Sequence, residues 1–136
     1  MNDSRDNDSA YAAEYLEALR LFNRGLFFES HEELEQLWVR LPKSSDKTFY
    51  QAIIHIAAAF LHRSRDRAKP ALAQYRRATE KLLSIGQEEY QGINIPQLLS
   101  RMNPYFLPLE NNPVIDSTLA QPIIDLPGET VTPSEF

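Results

Sequence analysis

The stretch from Phe49 to Leu61 constrains this chain more than any other. Phe49, Tyr50, Ile53, Ile54, Ile56, Ala57, Phe60 and Leu61 recur at helical spacing and cover well over half of a helix's circumference. A surface helix needs only one apolar stripe. A helix that is apolar nearly all round has to be wrapped by neighbours, so this one is read as the central rod of a helical bundle. It is broken by His55 and falls short of the roughly 20 apolar residues that a bilayer requires, so no membrane span is expected.

The remaining helices follow from spacing and punctuation. Ser9 is a candidate N-cap for a first helix to about Arg24, with Tyr11, Tyr15, Leu19 and Phe22 on one face and Gly25 as its stop. A second helix, from about Phe28 to Leu41, carries Leu34, Leu37, Trp38 and Leu41 at i, i+3, i+4 and i+7 and ends before Pro42. Ser45 or Asp46 can cap the central third helix, which runs to about Ser64. Pro70 suits the first turn of a fourth helix, because the N–H it lacks would have no partner there; this helix stops near Gly86. A short fifth helix is expected at Pro96 to Met102.

Six of the nine prolines lie from Pro104 onward, so no further helix is expected there. Val114, Ile115, Ile123, Ile124 and Leu126 are too apolar for a free tail. The sequence therefore predicts an all-α chain with one compact bundle of about five helices over residues 1–103. An extended, proline-rich acidic segment over 104–136 should lie across the bundle or across a partner.

Charge and composition exclude several function classes. The net charge is −5, and the segment from Pro104 to Phe136 has five carboxylates and no Lys or Arg. The overall charge therefore disfavours nucleic-acid binding, although Arg63, Arg65, Arg67, Lys69, Arg76, Arg77 and Lys81 make a local basic cluster. That cluster could pair with the acidic start of the second helix on another subunit, so a homodimer is a candidate assembly. With no cysteine there is neither a disulfide framework nor a thiolate-held zinc, and the polar N-terminus does not read as a signal peptide. The expected setting is cytoplasmic.

The candidate chemistry lies on the second and third helices, which hold all three histidines. His31 falls inside the apolar arc with Phe27, Leu34 and Trp38, and Glu35 lies one turn on, about 40° round the helix at the arc's edge. Glu32 is farther out. On the central helix the one arc without bulky side chains holds Gln51, His55 and His62 among alanines. A short connection makes the two helices antiparallel neighbours, so these stripes could converge on one gap. Imidazole and carboxylate suit a divalent ion such as zinc, manganese or iron, with His31, Glu35 and His62 as the candidate ligands. The same three could instead be catalytic through acid–base work on a small-molecule substrate, with Glu32, Trp38, Gln51 and His55 as binding residues. The competing reading is structural: a buried histidine bonded to a glutamate or tyrosine, tying two helices together. The zinc-protease spacing His-Glu-x-x-His and the Glu-x-x-His pairs of di-iron bundles are both absent.

The run FNRGLFFESHEELEQLW, followed after a short loop by FYQAIIHIAAAFLH, resembles the family known as domain of unknown function 309. The resemblance covers about Leu21 to Leu83 and rests on Phe22-Asn23, Gly25, Phe28-Glu29, His31-Glu32, Leu34-Glu35, Trp38, the region of Gln51, Ile54, Ala57 and His62. It implies a small, all-helical, cytoplasmic protein and, by the description attached to part of the family, a predicted metal-dependent hydrolase. The family pattern has glutamine where this chain has His55, and a Gly-Ala pair where Pro70-Ala71 stands. The resemblance therefore favours His31, Glu32, Glu35, Trp38 and His62 and places His55 second.

Overall fold

The structure is a computed structural model that describes residues 11–128. Among them five helices form: α1 (Ala13–Asn23), α2 (Phe27–Arg40), α3 (Ser45–Ser64), α4 (Ala68–Ile85) and α5 (Ile95–Phe106). Two short strands, β1 (Glu89–Tyr90) and β2 (Ile93–Asn94), stand between α4 and α5, and a 3-10 turn, Leu107–Glu110, follows. The fold is the all-α bundle expected from the sequence.

The central helix takes the central place. Ala52, Ile53, Ile56, Ala57, Ala59 and Phe60 of α3 are buried, and α3 packs against both α2 and α4. Its start is fixed by Ser44, one residue before the expected caps, whose side chain accepts from the Lys47 N–H at 3.1 Å. Phe60 is the hub of an aromatic cluster. Its ring lies 5.4 Å from those of Phe22 and Phe27, 5.0 Å from Tyr105 and 4.7 Å from Phe106, largely in edge-to-face geometry. Buried Ser30 of α2 donates to the Ala18 carbonyl of α1 at 2.7 Å and locks that pair. The expected cap Ser9 lies outside the described residues; Ala12 holds the N-cap position of α1 without a side-chain bond.

One expectation at the C-terminal end is corrected. The fifth helix does not stop at Met102. It runs through Pro104 to Phe106 and tightens into the 3-10 turn. Proline inside a helix costs about 3 kcal/mol, but Phe106 is fully buried against Phe60 and Tyr75, and Leu109 is buried beyond it. That burial outweighs the lost bond. The hairpin between α4 and α5, which the sequence leaves unassigned, pairs Glu89 with Asn94 and Tyr90 with Ile93. Its two turn residues, Gln91 and Gly92, both have positive φ, the condition for a type I′ turn.

The segment after the 3-10 turn packs on the bundle, and Ile124 joins the same buried cluster as the helices. Asn23, the last residue of α1, clamps it. The Asn23 amide donates to the Ile124 carbonyl and accepts from the Ile124 N–H, both at 2.8 Å. Arg63 donates to the carbonyls of Tyr105 at 3.1 Å and Asp116 at 2.6 Å, and Arg101 pairs with Asp125 at 3.1 Å. Residues 129–136 lie outside the described part. No helix among the described residues is long and apolar enough to cross a membrane.

Candidate functional site

The polar stripes of α2 and α3 meet at a cleft of about 210 Å³, and α4 forms its third wall. Helix α2 contributes His31, Glu35 and Trp38. His31 and Trp38 are partly buried because they flank the buried anchors Leu34 and Leu37 of the same helix, whereas Glu35 is exposed. Helix α3 contributes Gln51, Ile54, His55 and Ala58, and α4 contributes Gln74. Alanine at 58 keeps the wall low, so the groups beside it stay reachable.

His55 is the best-defined group. Its Nδ1 lies 2.7 Å from Gln74 Oε1. A carboxamide oxygen only accepts, so Nδ1 carries the proton and Nε2 is left as the basic nitrogen. Burial lowers the pKa of His55, the Gln74 bond works against that shift, and the charges of Lys81, Arg77 and His31 lower it further. His55 is therefore neutral near pH 7. The Nε2 of His31 lies 4.0 Å from Glu35 Oε2, a loose pairing along one helix. The Nδ1 of His31 and the Nε1 of Trp38 are both enclosed without a hydrogen-bond partner. The outer face of Trp38 carries Lys47, whose Nζ sits 4.7 Å from the ring centre and donates to the Leu41 carbonyl at 2.9 Å.

The cleft thus brings together His31, Glu35, Trp38, Gln51 and His55. It does not include Glu32 or His62. Exposed Glu32 lines a separate shallow depression with Glu35, Gln36, Trp38 and Val39. His62 sits one turn beyond Ala58, in the last turn of α3. There burial first, then the charges of Arg67 and Arg65, lower its pKa, and its Nδ1 is enclosed without a partner. The reason is length. Helix α3 has 20 residues and α2 has 14, so the final turn of α3 lies beyond the part of α2 that carries His31 and Glu35.

The set His31, Glu35 and His62 does not fit zinc, manganese or iron. Among the described residues no three His, Cys, Asp or Glu side chains come together as such an ion would need.

Gln74 was not foreseen. Its signal was faint: a polar residue three positions after buried Ala71 and just before buried Tyr75, at the edge of the inward face of α4.

These features define a class, a small helical-bundle protein with a histidine-bearing cleft between its central helix and two neighbours. Residues 15–73 match the family model described as Domain of unknown function (DUF309), the family that the sequence resembles. The match begins earlier than the resemblance, within α1, and ends sooner, in the first turns of α4. It spans every cleft residue except Gln74. Comparison with curated proteins and with solved structures gave no match.

Proposed function

We propose that the cleft between α2, α3 and α4 binds a small polar molecule, with His55 as its proton acceptor and His31, beside Glu35, as the second proton-transfer group. The observation that carries this reading is the bond from His55 to Gln74. It fixes one tautomer, leaves Nε2 as a base, and sits in a cavity where burial keeps the ring neutral. A tautomer held this way is what general-base work requires. The hydrolase description attached to part of the family is compatible with it through a histidine-activated water in the cytoplasm, and this version needs no metal.

The test is a panel of small acids, amides and esters, read by imidazole proton shifts. Saturable movement of the His31 and His55 signals, with His62 unmoved, is expected. A panel that moves neither ring sinks the reading.

A second reading, a helical interaction module that pairs with its own copy, has one observation in its favour. An open apolar groove of about 760 Å³ runs along α4 and α5, lined by Leu83, Leu99 and Leu107, of which Leu83 is 63% exposed. Sedimentation of wild type against Leu107→Glu tests it; a monomer in both cases removes the homodimer.

A further inference from the structure

The walls of the cleft differ in charge. The α2 wall is acidic, with Glu35 lining it and Glu32 nearby. Of α4, Gln74 alone lines the cleft, and the cations stand outside that lining, farther along the same helix. Gln74, which holds His55, starts a stripe that continues through Arg77 to Lys81. At the helical period Lys81 comes back to within about 20° of Gln74. Helices α3 and α4 run antiparallel and are tied level at His55 and Gln74. Two turns up α4 from Gln74 is therefore level with two turns back along α3 from His55. That brings Lys81 to the Thr48–Gln51 turn, at the Trp38 end of the cleft.

This end carries several donors, and its acceptors are the Glu35 carboxylate and the Gln51 carboxamide. Lys81 and Arg77 form no ion pair among the described residues, where Arg20, Arg40, Arg76 and Arg101 do. Both charges, after burial, help to lower the pKa of His55. Lys47, the other cation nearby, is engaged with Trp38 and the Leu41 carbonyl. The Trp38 Nε1–H, which can only donate, has no acceptor.

We propose that the cleft takes a small molecule bearing a carboxylate or phosphate group, seated at its Trp38–Gln51 end with Lys81 and Arg77 as its charge partners. The proposal rests on the cleft being a ligand site. The volume, about 210 Å³, is below the roughly 300–1,000 Å³ of pockets for drug-sized ligands. A metabolite of few atoms fits it. The opposite wall, with Glu35, faces the uncharged or cationic end of that molecule.

Trp38 is the chain's single tryptophan, so its fluorescence reports on this end directly. The full chain is titrated at constant ionic strength with inorganic phosphate, with acetate, and with neutral acetamide. Saturation by phosphate or by acetate is expected, and whichever saturates names the group. Lys81→Gln and Arg77→Gln should each weaken that binding by about fivefold or more, at an unchanged melting temperature. Glu35→Gln should not weaken it. Equal responses to acetate and acetamide, or unchanged binding in Lys81→Gln, overturn the anion assignment and leave a ligand site standing. Silence from all three probes removes the ligand site as well.

Discussion

Replacing Asn23 by alanine removes both hydrogen bonds that hold the returning C-terminal segment to α1. Each is 2.8 Å long and partly buried. A typical intramolecular hydrogen bond contributes about 0.5–1.5 kcal/mol net, so the pair contributes about 1–3 kcal/mol. Asn23 is the last residue of α1, so alanine's better helix propensity returns only a few tenths of a kcal/mol there. The expected net loss is about 1–2 kcal/mol. Asn23→Asp should cost at least as much, because its second oxygen would face the Ile124 carbonyl in place of a donor. Urea unfolding gives the magnitude. Limited proteolysis gives the mechanism, since release of Ile124 should speed cleavage in the exposed stretch between Asn111 and Gln121. Unchanged stability together with an unchanged cleavage rate would refute the clamp.

Gly92 has φ +76°, and a Cβ there would collide with the Pro127 ring and come within 2.9 Å of the Tyr11 hydroxyl, whereas Gly86, at φ +73°, has open space. Gly92→Ala should therefore lower the melting temperature clearly more than Gly86→Ala, which adds only about 1 kcal/mol of backbone strain; equal losses would argue against the close packing. His55 and His62 are both held below the ordinary histidine value of about 6.5, burial being the first cause at each. Below that pH the unfolded chain takes up protons that the folded chain refuses, so stability should fall from pH 7.5 to pH 5.5, and less steeply in His55→Gln. Denaturation midpoints at the two pH values check the sign, and a stability that rises toward pH 5.5 contradicts it. Added zinc, manganese or iron should leave the melting temperature unmoved; a rise that grows with the logarithm of metal concentration would reveal a site.

The sequence was most informative where one periodicity dominated. The all-round apolar face of α3 announced a central helix, and it is one. The single-helix arc placed His55 and His62 on one stripe, but an arc carries no information about how far the neighbouring helix extends. The start of α2, where Phe27 stacks on Phe60, decided between them. Pro104 read as a helix stop because the local rule is strong; the buried ring of Phe106, two residues on, overrode it through contacts with Phe60 and Tyr75. The Gln91-Gly92 turn was missed because its first residue is not the asparagine or aspartate that usually marks such hairpins. Gln74 acquires its role only from the partner that α3 presents to it.

The Asn23–Ile124 clamp joins residues 101 positions apart in the chain. On a ribosome adding about 5–20 residues per second, Asn23 waits roughly 5–20 seconds after its own synthesis before its partner exists. Phe60 lacks the cover of Phe106 until that residue has been made, and Ile124 joins the buried cluster later still. The nascent chain is therefore sticky until nearly all of it has been made, and a holding chaperone would find its target on the α1–α3 face during translation.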